Sequence, residues 1–277
     1  MLDRSITHGP ITHAPWLDRH AERITRYAAQ LTDAGLDRGA RPHLTPARLI
    51  AFAREAKRED TYHSTTIEGY RITPEEVDAV LSGRSVAGRT PDEVARQLAI
   101  QGYARAFDRT LAVLTAARGP VLLNESLILD LYEALWWPSV EAGIVLEAHE
   151  LRRYRTRSAF IRHSDHVPPA VEKVPGLVRL TCDMINELAV GPVVRAAVAH
   201  WAFEYVHPFP DGNGRVGRLL MNVVLGSHGD PWVTIRAEER QAYFTSLERA
   251  SVQDDPLPWG RLLAHAVRKA RTAAARA

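Results

Sequence analysis

The chain has 277 residues, of which 45% are hydrophobic and 25% charged, as in an ordinary soluble globular protein. Its 35 basic and 33 acidic residues leave a net charge of +2, so the overall charge does not argue for a nucleic-acid partner. Cys182 is the single cysteine, which excludes a disulfide framework and a CxxC metal site. The first residues lack an apolar signal core, and no run approaches the roughly 18 apolar residues of a membrane span. We therefore expect a cytoplasmic protein without a membrane partner.

The N-terminal part shows helix signals after a polar start. Residues 1–16 are rich in Pro, His and Thr, and we expect them to lie extended over the surface. Residues 17–31 carry apolar side chains at helical spacing. Thr45-Pro46 combines a capping residue with a proline suited to the first helical position. The helix that begins there ends either near Lys57 or, after a short break, at Glu68.

Two further helices are predicted in the next fifty residues. Gly69 is well placed to stop the preceding helix. Thr73-Pro74 is a second start signal, and the helix it opens runs to Leu81. Residues 82–89 are polar with two glycines and predict a turn region. Pro91 to Ala117 predicts a long helix, because large apolar residues repeat there at intervals of three and four.

The middle of the chain contains the least helical segment. Asn124-Glu125 predicts a helix start, and Pro138 should end that helix because the residue before proline resists the α conformation. Residues 139–170 show little helical periodicity. Residues 155–162 alternate weakly and Pro168-Pro169 closes the segment, so a short β-hairpin or flap is predicted.

Helical patterns return for the rest of the chain. One helix follows Val174, and the next, from Pro192, delivers His207 at its end. The remaining predicted helices cover Arg215 to about Ser227, residues 238–250 and residues 257–272. The predicted fold class is therefore all-α with one small β-hairpin flap.

Residues 207–218 read HPFPDGNGRVGR and concentrate the polar chemistry of the chain. His207 has the side chain that titrates nearest neutrality and suits a general base. Asp211 offers the hard oxygen that Mg²⁺ prefers. Gly212 and Gly214 allow close backbone approach, so that successive N–H groups can bind an anion. The combination suits a nucleotide triphosphate with its metal.

Two arginines complete this stretch. Arg215 and Arg218 lie three positions apart on one helical face, where both can grip phosphate oxygens. Each feature alone has a simpler explanation, because Asp-Gly and Asn-Gly are turn signals and arginines often lie in solvent. Their joint occurrence at fixed offsets favours a functional site.

The same stretch also contains the pattern G-x-G-x-x-G, formed by Gly212, Gly214 and Gly217. The dinucleotide-binding form of this pattern follows a β-strand. Here the preceding residues 193–205 are Ala-rich with helical spacing, and Asp211 would place a carboxylate beside the pyrophosphate. We reject the dinucleotide interpretation.

Residues 207–218 resemble the signature of the Fic family, HxFx(D/E)GNGRxxR, and match every specified position. The order of elements over residues 45–270 is also similar to a Fic protein. The resemblance implies an all-α core, with a flap that docks a target protein. It further implies transfer of AMP from ATP to a target hydroxyl with release of pyrophosphate, so that ATP and Mg²⁺ (or Mn²⁺) are the expected co-substrate and metal.

The resemblance also implies a role for each matched residue. His207 would deprotonate the Ser, Thr or Tyr hydroxyl of the target, and Asp211 would hold the metal. The phosphates would be bound by Gly212, Asn213, Gly214, Arg215 and Arg218, with Arg218 reaching the γ-phosphate.

A second constellation lies at residues 64–69, STTIEG. Taken alone it is a helix end with Gly69 as its stop, although Glu68 in the last turn has the unfavourable charge for the helix dipole. Ser64 and Glu68 share a helical face. The stretch resembles the inhibitory [ST]xxxE[GN] motif of Fic proteins, which implies that Glu68 pairs with Arg218 and keeps the γ-phosphate out. The resemblance therefore implies an auto-inhibited enzyme.

Weaker assignments concern target and base binding. Ser158, Ala159, Phe160, Ile161 and Arg162 fall where the family flap would dock a target. Five arginines between 152 and 162 suggest that this flap favours an acidic target surface. Arg240, Tyr243 and Phe244 resemble an R-x-x-Y-[YF] pattern, in which Tyr243 either borders the adenine or belongs to the core.

The expected organisation is an N-terminal helical region, residues 1–90, which carries the inhibitory helix, and a catalytic core, residues 91–277, with the flap near 152–168. A hydrolase that removes AMP with a water oriented by Glu68 is an alternative function. A non-catalytic nucleotide-binding regulator is another, although the intact motif argues against it. The sequence does not specify the target protein, and the chain itself is one candidate. The arm of residues 1–16 is a candidate surface for a homodimer.

Overall fold

The computed structural model describes residues 14–39, 44–84, 90–144 and 148–276. Within these ranges there are ten α-helices, three short 3₁₀ helices and no β-strand. The helices are α1 Pro15–Asp33, α2 Pro46–Ile67, α3 Pro74–Leu81, α4 Pro91–Ala116, α5 Glu125–Glu141, α6 Val174–Glu187, α7 Pro192–Val206, α8 Asn213–Ser227, α9 Arg240–Val252 and α10 Leu257–Arg276. The all-α prediction is confirmed.

Parts of three predicted segments lie outside the described residues. These are residues 1–13 of the expected surface arm, residues 85–89 of the expected turn region and residues 145–147 of the least helical segment. The last two residues of the arm already belong to α1, which begins at Pro15. The dimer surface predicted on this arm therefore stays a prediction.

The helix starts follow the local signals of the sequence. Thr45 caps α2 by accepting a hydrogen bond from the backbone N–H of Arg48. Thr73 opens α3 with a reciprocal capping box, as predicted, and Thr90 opens α4 in the same way. Each capping residue is followed by a proline at the first helical position.

Helix α2 runs without the break considered near Lys57. Its C-terminal half buries a polar face, which includes Asp60, Ser64 and Thr65. Asp60 accepts a hydrogen bond of 2.7 Å from the hydroxyl of Tyr103 on α4. Asp60 and Ser64 thus have hydrogen-bond partners inside the protein, which lowers the cost of burying this polar face, and the helix continues to its end at Ile67.

The prediction that Pro138 ends α5 is wrong, because the helix continues for three residues to Glu141. Proline removes one backbone hydrogen bond and usually costs about 3 kcal/mol inside a helix. Pro138 and Ser139 are both buried, as is Trp136 before them. Burial on both sides of the proline offsets the lost hydrogen bond.

The predicted β-hairpin is also absent. Residues 155–170 form turns and extended stretches without strand pairing. Their backbone is held by a side chain instead, because the guanidinium group of Arg155 donates to the carbonyl oxygens of Arg157 and Pro169. A chain whose carbonyls bind a guanidinium group does not need a neighbouring strand.

Helices α7 and α8 form the centre of the molecule. Twelve of the fifteen residues of each helix are buried. They pack against each other, with α1, α6 and α10 against α7 and with α2, α4 and α5 against α8. The loop of residues 207–212 joins these two helices, so two deeply buried helices position it. In the described part of the chain, no helix has the length and apolar character needed to cross a bilayer.

Candidate active site

His207 follows the last residue of α7 and has a left-handed backbone, with φ of 50° and ψ of 61°. The backbone N–H of His207 donates to the carbonyl of Phe203 at 3.0 Å. Its ring is partly buried, and Nδ1 has no partner among the described residues. Burial lowers the pKa of His207 to about 4, and the charge of Arg155 acts in the same direction. The imidazole is therefore neutral at neutral pH, the form that a general base requires.

Arg155 fixes the turn that carries His207. Its Nε donates to the carbonyl of His207 at 2.8 Å, and its backbone N–H donates to the carbonyl of Pro208 at 2.8 Å. The side chain is only 5% exposed. The sequence gives no signal for this role beyond one arginine in a basic segment. Arg155 is therefore a support of the loop and cannot belong to a basic surface.

Phe209 and Asn213 hold the loop from the inside. Phe209 is fully buried and stacks on Tyr132 with ring centroids 3.8 Å apart and planes 3° from parallel. The Asn213 side chain accepts from the N–H of Phe209 at 2.9 Å and donates to its carbonyl at 2.8 Å. The amide of Asn213 thus shapes the loop, and only its backbone N–H remains for the predicted anion site.

Asp211 and Gly212 lie at the N-terminus of α8. Gly212 is the N-cap, with φ of 83° and no side-chain cap. The first-turn N–H groups of α8 are thus open to an anion, where the helix dipole also favours negative charge. Asp211 accepts from the N–H of Gly212 at 2.6 Å, and its side chain is 59% exposed.

Asp211 suits a magnesium ion that is shared with phosphates. Mg²⁺ commonly takes one or two carboxylates and completes its shell with phosphate and water oxygens. The described residues contain no group of three or more His, Cys, Asp or Glu side chains able to hold a metal by themselves. One exposed carboxylate beside an open helix N-terminus fits an ion that arrives with a nucleotide.

Arg215 and Arg218, both predicted to bind phosphate, have different surroundings. Arg215 is 1% exposed, and its guanidinium group lies 5.1 Å from the ring of Trp136 and 5.5 Å from that of Tyr70. Two aromatic faces thus orient this cation. Its Nη2 lies 3.5 Å from the Asp211 carboxylate.

Arg218 is 3% exposed and is held by the C-terminal end of α2. Its Nη2 lies 2.7 Å from Oε1 of Glu68 and donates to the carbonyl of Ser64 at 2.9 Å. Its Nε donates to the Ser64 hydroxyl at 2.8 Å. The pairing of Glu68 with Arg218 that the sequence predicts is present, and Ser64 adds two bonds to the same guanidinium group.

The charges of this pair stabilise each other. Burial alone would raise the pKa of Glu68, but Arg218 and then Arg215 outweigh it and lower that pKa. Burial likewise opposes the charge on Arg218, yet Glu68 and Tyr243 raise the pKa of the guanidinium group. Both groups are therefore ionised in the folded chain. The opposite charge also offsets the unfavourable position of Glu68 at a helix C-terminus.

Tyr243 lies in the core and not at an open pocket wall. It is fully buried, and its hydroxyl lies 2.8 Å from Nε2 of His200 and 3.4 Å from Nη1 of Arg218. Of the two readings of Tyr243, the core position is the one found. The neighbouring Phe244 is 37% exposed, with the Arg240 guanidinium 4.8 Å from its ring.

The C-terminal half of α2 is also fastened by residues near α9. Arg240 Nε donates to the carbonyl of Ile67 at 2.7 Å. The N–H of Ala237 donates to Nδ1 of His63 at 3.2 Å. We call these two contacts the α2 clamp. No sequence pattern indicated it, because the partners lie more than 170 residues apart.

The predicted docking segment, Ser158 to Arg162, has no regular secondary structure before the turn that begins at Arg162, and Phe160 is 84% exposed. Arg157 and Arg162 are exposed in this region, and the preference for an acidic target stays a prediction. Arg152 pairs with Asp130 and Glu133, at 2.9 and 2.6 Å. Arg153 pairs with Glu150, so that internal acids already satisfy much of the basic segment.

Comparisons with known proteins agree with this geometry. Residues 122–225 match the sequence model of the Fic/DOC family. A curated relative, the protein adenylyltransferase Fic of Nematostella vectensis, is 30% identical over 264 residues, which cover 92% of this chain and 58% of the relative. A probable protein adenylyltransferase of Aquifex aeolicus is 34% identical over 131 residues, 47% of this chain and 37% of the relative. The chain thus spans between about a third and three fifths of these curated relatives.

Solved structures show the same fold. Fic-1 of C. elegans (residues 134–508) superposes with a TM-score of 0.70 at 24% identity, covering 94% of this chain and 73% of that one. A Fic-domain signaling protein of Bacteroides thetaiotaomicron gives a TM-score of 0.66 at 22% identity, covering 93% and 96%. With its complete motif at the turn between the two central helices, the chain belongs to the Fic family.

Proposed function

We propose that the protein is an auto-inhibited adenylyltransferase that transfers AMP from ATP to a hydroxyl of a target protein, this chain included. The curated relatives carry the name protein adenylyltransferase. The observation that carries the proposal is the 2.7 Å contact between Glu68 and Arg218 inside an otherwise complete motif. A site with a neutral base, an open helix N-terminus and two arginines suits phosphoryl-type transfer, which depends on positioning and charge stabilisation.

In the proposed reaction the target oxygen attacks the α-phosphorus of ATP. The bond from this phosphorus to the bridging oxygen breaks, pyrophosphate leaves, and the hydroxyl proton passes to His207. The N–H groups of the first turn of α8 bind the α- and β-phosphate oxygens. Asp211 would hold a metal ion, which would supply positive charge to the leaving pyrophosphate.

Glu68 restrains this reaction through Arg218. Nε and Nη2 of the guanidinium group already donate to a hydroxyl, a carbonyl and a carboxylate, so a γ-phosphate has to displace these partners to use the same donors. A carboxylate at that place also repels the triphosphate. ATP then binds in a pose without the alignment that in-line attack requires.

The test is intact-mass analysis of the Glu68→Gly variant incubated with Mg²⁺ and each nucleoside triphosphate in turn. We expect the mass of one or more AMP groups to appear with ATP in Glu68→Gly, with far less in the wild type. The double variant Glu68→Gly/His207→Ala is the control and should gain nothing. Equal labelling of wild type and Glu68→Gly would contradict the inhibitory role. The mass added also identifies the donor nucleotide. The motif does not specify this donor, because its residues bind phosphates and not bases.

Removal of AMP from a modified protein is the second candidate function. The observation in its favour is that Glu68 is ionised and 19% exposed beside the site, so it can orient an attacking water. An AMP-modified target incubated with wild type or Glu68→Gly separates the two functions. Loss of removal in Glu68→Gly supports hydrolysis, whereas gain of labelling supports inhibited transfer.

A further inference from the structure

Two glycines on α8 leave room for two carboxyl groups to lie close to the helix backbone. A Cβ at Gly214 would overlap Oε1 of Glu68, and a Cβ at Gly217 would overlap Oε1 of Glu204. These glycines are three positions apart and therefore share one face of α8. Gly217 has no part in the Fic signature or in a dinucleotide site. Its lack of a side chain makes room for Glu204.

Glu204 is a second acid beside the Glu68–Arg218 pair. It lies on α7 one turn before His207, and its Oε1 is buried without a hydrogen-bond partner among the described residues. Burial raises the pKa of Glu204 to about 8, the charge of Glu68 adds to this, and Arg218 opposes it. The titratable and charged groups around it are Glu68 of α2, His200 and His207 of α7, Arg218 of α8 and Tyr243 of α9.

Burial and the charge of Glu68 together favour the neutral form of Glu204. His200, whose pKa is lowered by burial to about 3, and Tyr243, whose pKa is raised by burial, carry no charge near neutral pH. Among the charged groups, Glu68 and Arg218 therefore act on Glu204 with opposite effects, in addition to burial. Removal of Glu68 leaves Arg218 as the charge that acts on Glu204, so the pKa of this carboxyl falls below about 8 and its ionised form gains population.

Arg218 is 3% exposed, and loss of Glu68 leaves this buried cation with only the neutral groups of Ser64 and Tyr243 as hydrogen-bond partners. A buried charge that loses its ion-pair partner is strongly destabilising, so a replacement acid would stabilise the protein.

Two other acids lie within the electrostatic reach of Arg218, Asp60 and Glu204. Asp60 is already engaged by the Tyr103 hydroxyl at 2.7 Å. Glu204 has an uncommitted oxygen and is the acid left to respond.

We propose that Glu204 is the reserve partner of Arg218, which pairs with it after Glu68 withdraws and before the outer phosphate of ATP arrives. Glu204 releases its proton to solvent when Glu68 leaves. It takes a proton back when the phosphate replaces it on Arg218. The inference rests on the proposed function, because it assigns the γ-phosphate to Arg218.

The first test compares the melting temperatures of wild type, Glu204→Gln, Glu68→Gly and the double variant without nucleotide. In the wild type, Glu204→Gln replaces a buried acid whose raised pKa lowers the stability of the folded state. We therefore expect this substitution to raise the melting temperature by a few degrees. In the Glu68→Gly background it removes the partner of Arg218, so the melting temperature should fall. A rise or no change in that background overturns the proposal.

The second test leaves Glu204 in place and therefore does not depend on how well that variant folds. Binding of MgATP to Glu68→Gly is measured by calorimetry at about pH 7.5, in two buffers of different ionisation enthalpy. We expect proton uptake on binding in Glu68→Gly and none in the double variant with Glu204→Gln. Binding without proton uptake in Glu68→Gly overturns the proposal. The melting temperature and the proton uptake on binding do not depend on AMP transfer. If the proposed enzyme activity is wrong, that shows separately as an absence of AMP labelling in Glu68→Gly.

Discussion

His207 combines backbone strain with a shifted pKa. A φ of 50° is uncommon for a residue with a side chain and costs roughly 1–2 kcal/mol. The bond from Arg155 to the His207 carbonyl and the stacked ring of Phe209 hold this conformation in place. Strain that is maintained in this way is typical of functional sites, where the side chain must point in one direction.

The lowered pKa of His207 makes a prediction about pH. A base is active only when neutral, so activity is lost as the pH falls through its pKa. With that pKa at about 4, AMP transfer by Glu68→Gly should stay nearly constant between about pH 8 and pH 6. Removal of Glu68 lowers the pKa of His207 further, because Glu68 is among the groups that raise it. Initial rates of labelling across this range test the expectation, and an acid limb centred near the ordinary histidine value of about 6.5 contradicts it.

The helix starts illustrate what a sequence can specify. Thr73 and Thr90 act within four residues of themselves, through capping boxes, so local reading is enough to place α3 and α4. Pro138 and the expected hairpin were misjudged because distant contacts decide them. Burial of residues around Pro138 extends α5, and Arg155 replaces strand pairing. Neither cause is visible at short range.

The candidate site shows the same division. The motif residues from His207 to Arg218, and the pairing of Glu68 with Arg218, follow from family patterns. The roles of Arg155 and Glu204, and the contact of Arg240 with the end of α2, are indicated by no pattern in the sequence and emerge only from the packing of remote elements. The roles assigned to the motif residues remain predictions until labelling is measured.

The α2 clamp gives a prediction at the scale of helices. Arg240 holds the last carbonyl of α2 at 2.7 Å, one residue before Glu68. Substitution Arg240→Ala should loosen the end of α2 and raise AMP labelling several-fold in an otherwise wild-type chain. It should add nothing in the Glu68→Gly background, where no inhibitory side chain remains.

A matched control exists on the same helix. Arg249 pairs with Asp255 near the surface, away from α2, so Arg249→Ala should leave labelling unchanged. If Arg240→Ala instead lowers labelling in both backgrounds, Arg240 contributes to nucleotide binding and the clamp interpretation is wrong.

At the scale of the whole molecule, the C-terminal helix is tied to the centre by a buried ion pair. Arg271 Nε lies 2.6 Å from Asp230, which follows the end of α8, and both side chains are at most 5% exposed. Removing one partner of such a pair leaves a buried charge. We expect Arg271→Ala to lower the free energy of unfolding by about 3–5 kcal/mol in urea denaturation.

The exposed pair between Arg249 and Asp255 serves as the reference for this measurement. Its side chains are 48% and 28% exposed, so solvent screens the interaction and Arg249→Ala should cost about 1 kcal/mol or less. Equal losses for the two variants would show that α10 is not anchored through Arg271.

Glu68 and Arg218 are separated by 150 residues but belong to one chain. The contact forms within a single molecule, so the fraction of molecules in which it is made does not depend on protein concentration. Dilution should leave the labelling rate of wild type unchanged relative to that of Glu68→Gly at the same concentration, whereas a restraint supplied by a dissociable subunit would be lost on dilution. Any signal that raises this rate must act on the balance between two states of a single molecule, and its largest effect is set by how rarely Glu68 leaves Arg218 on its own.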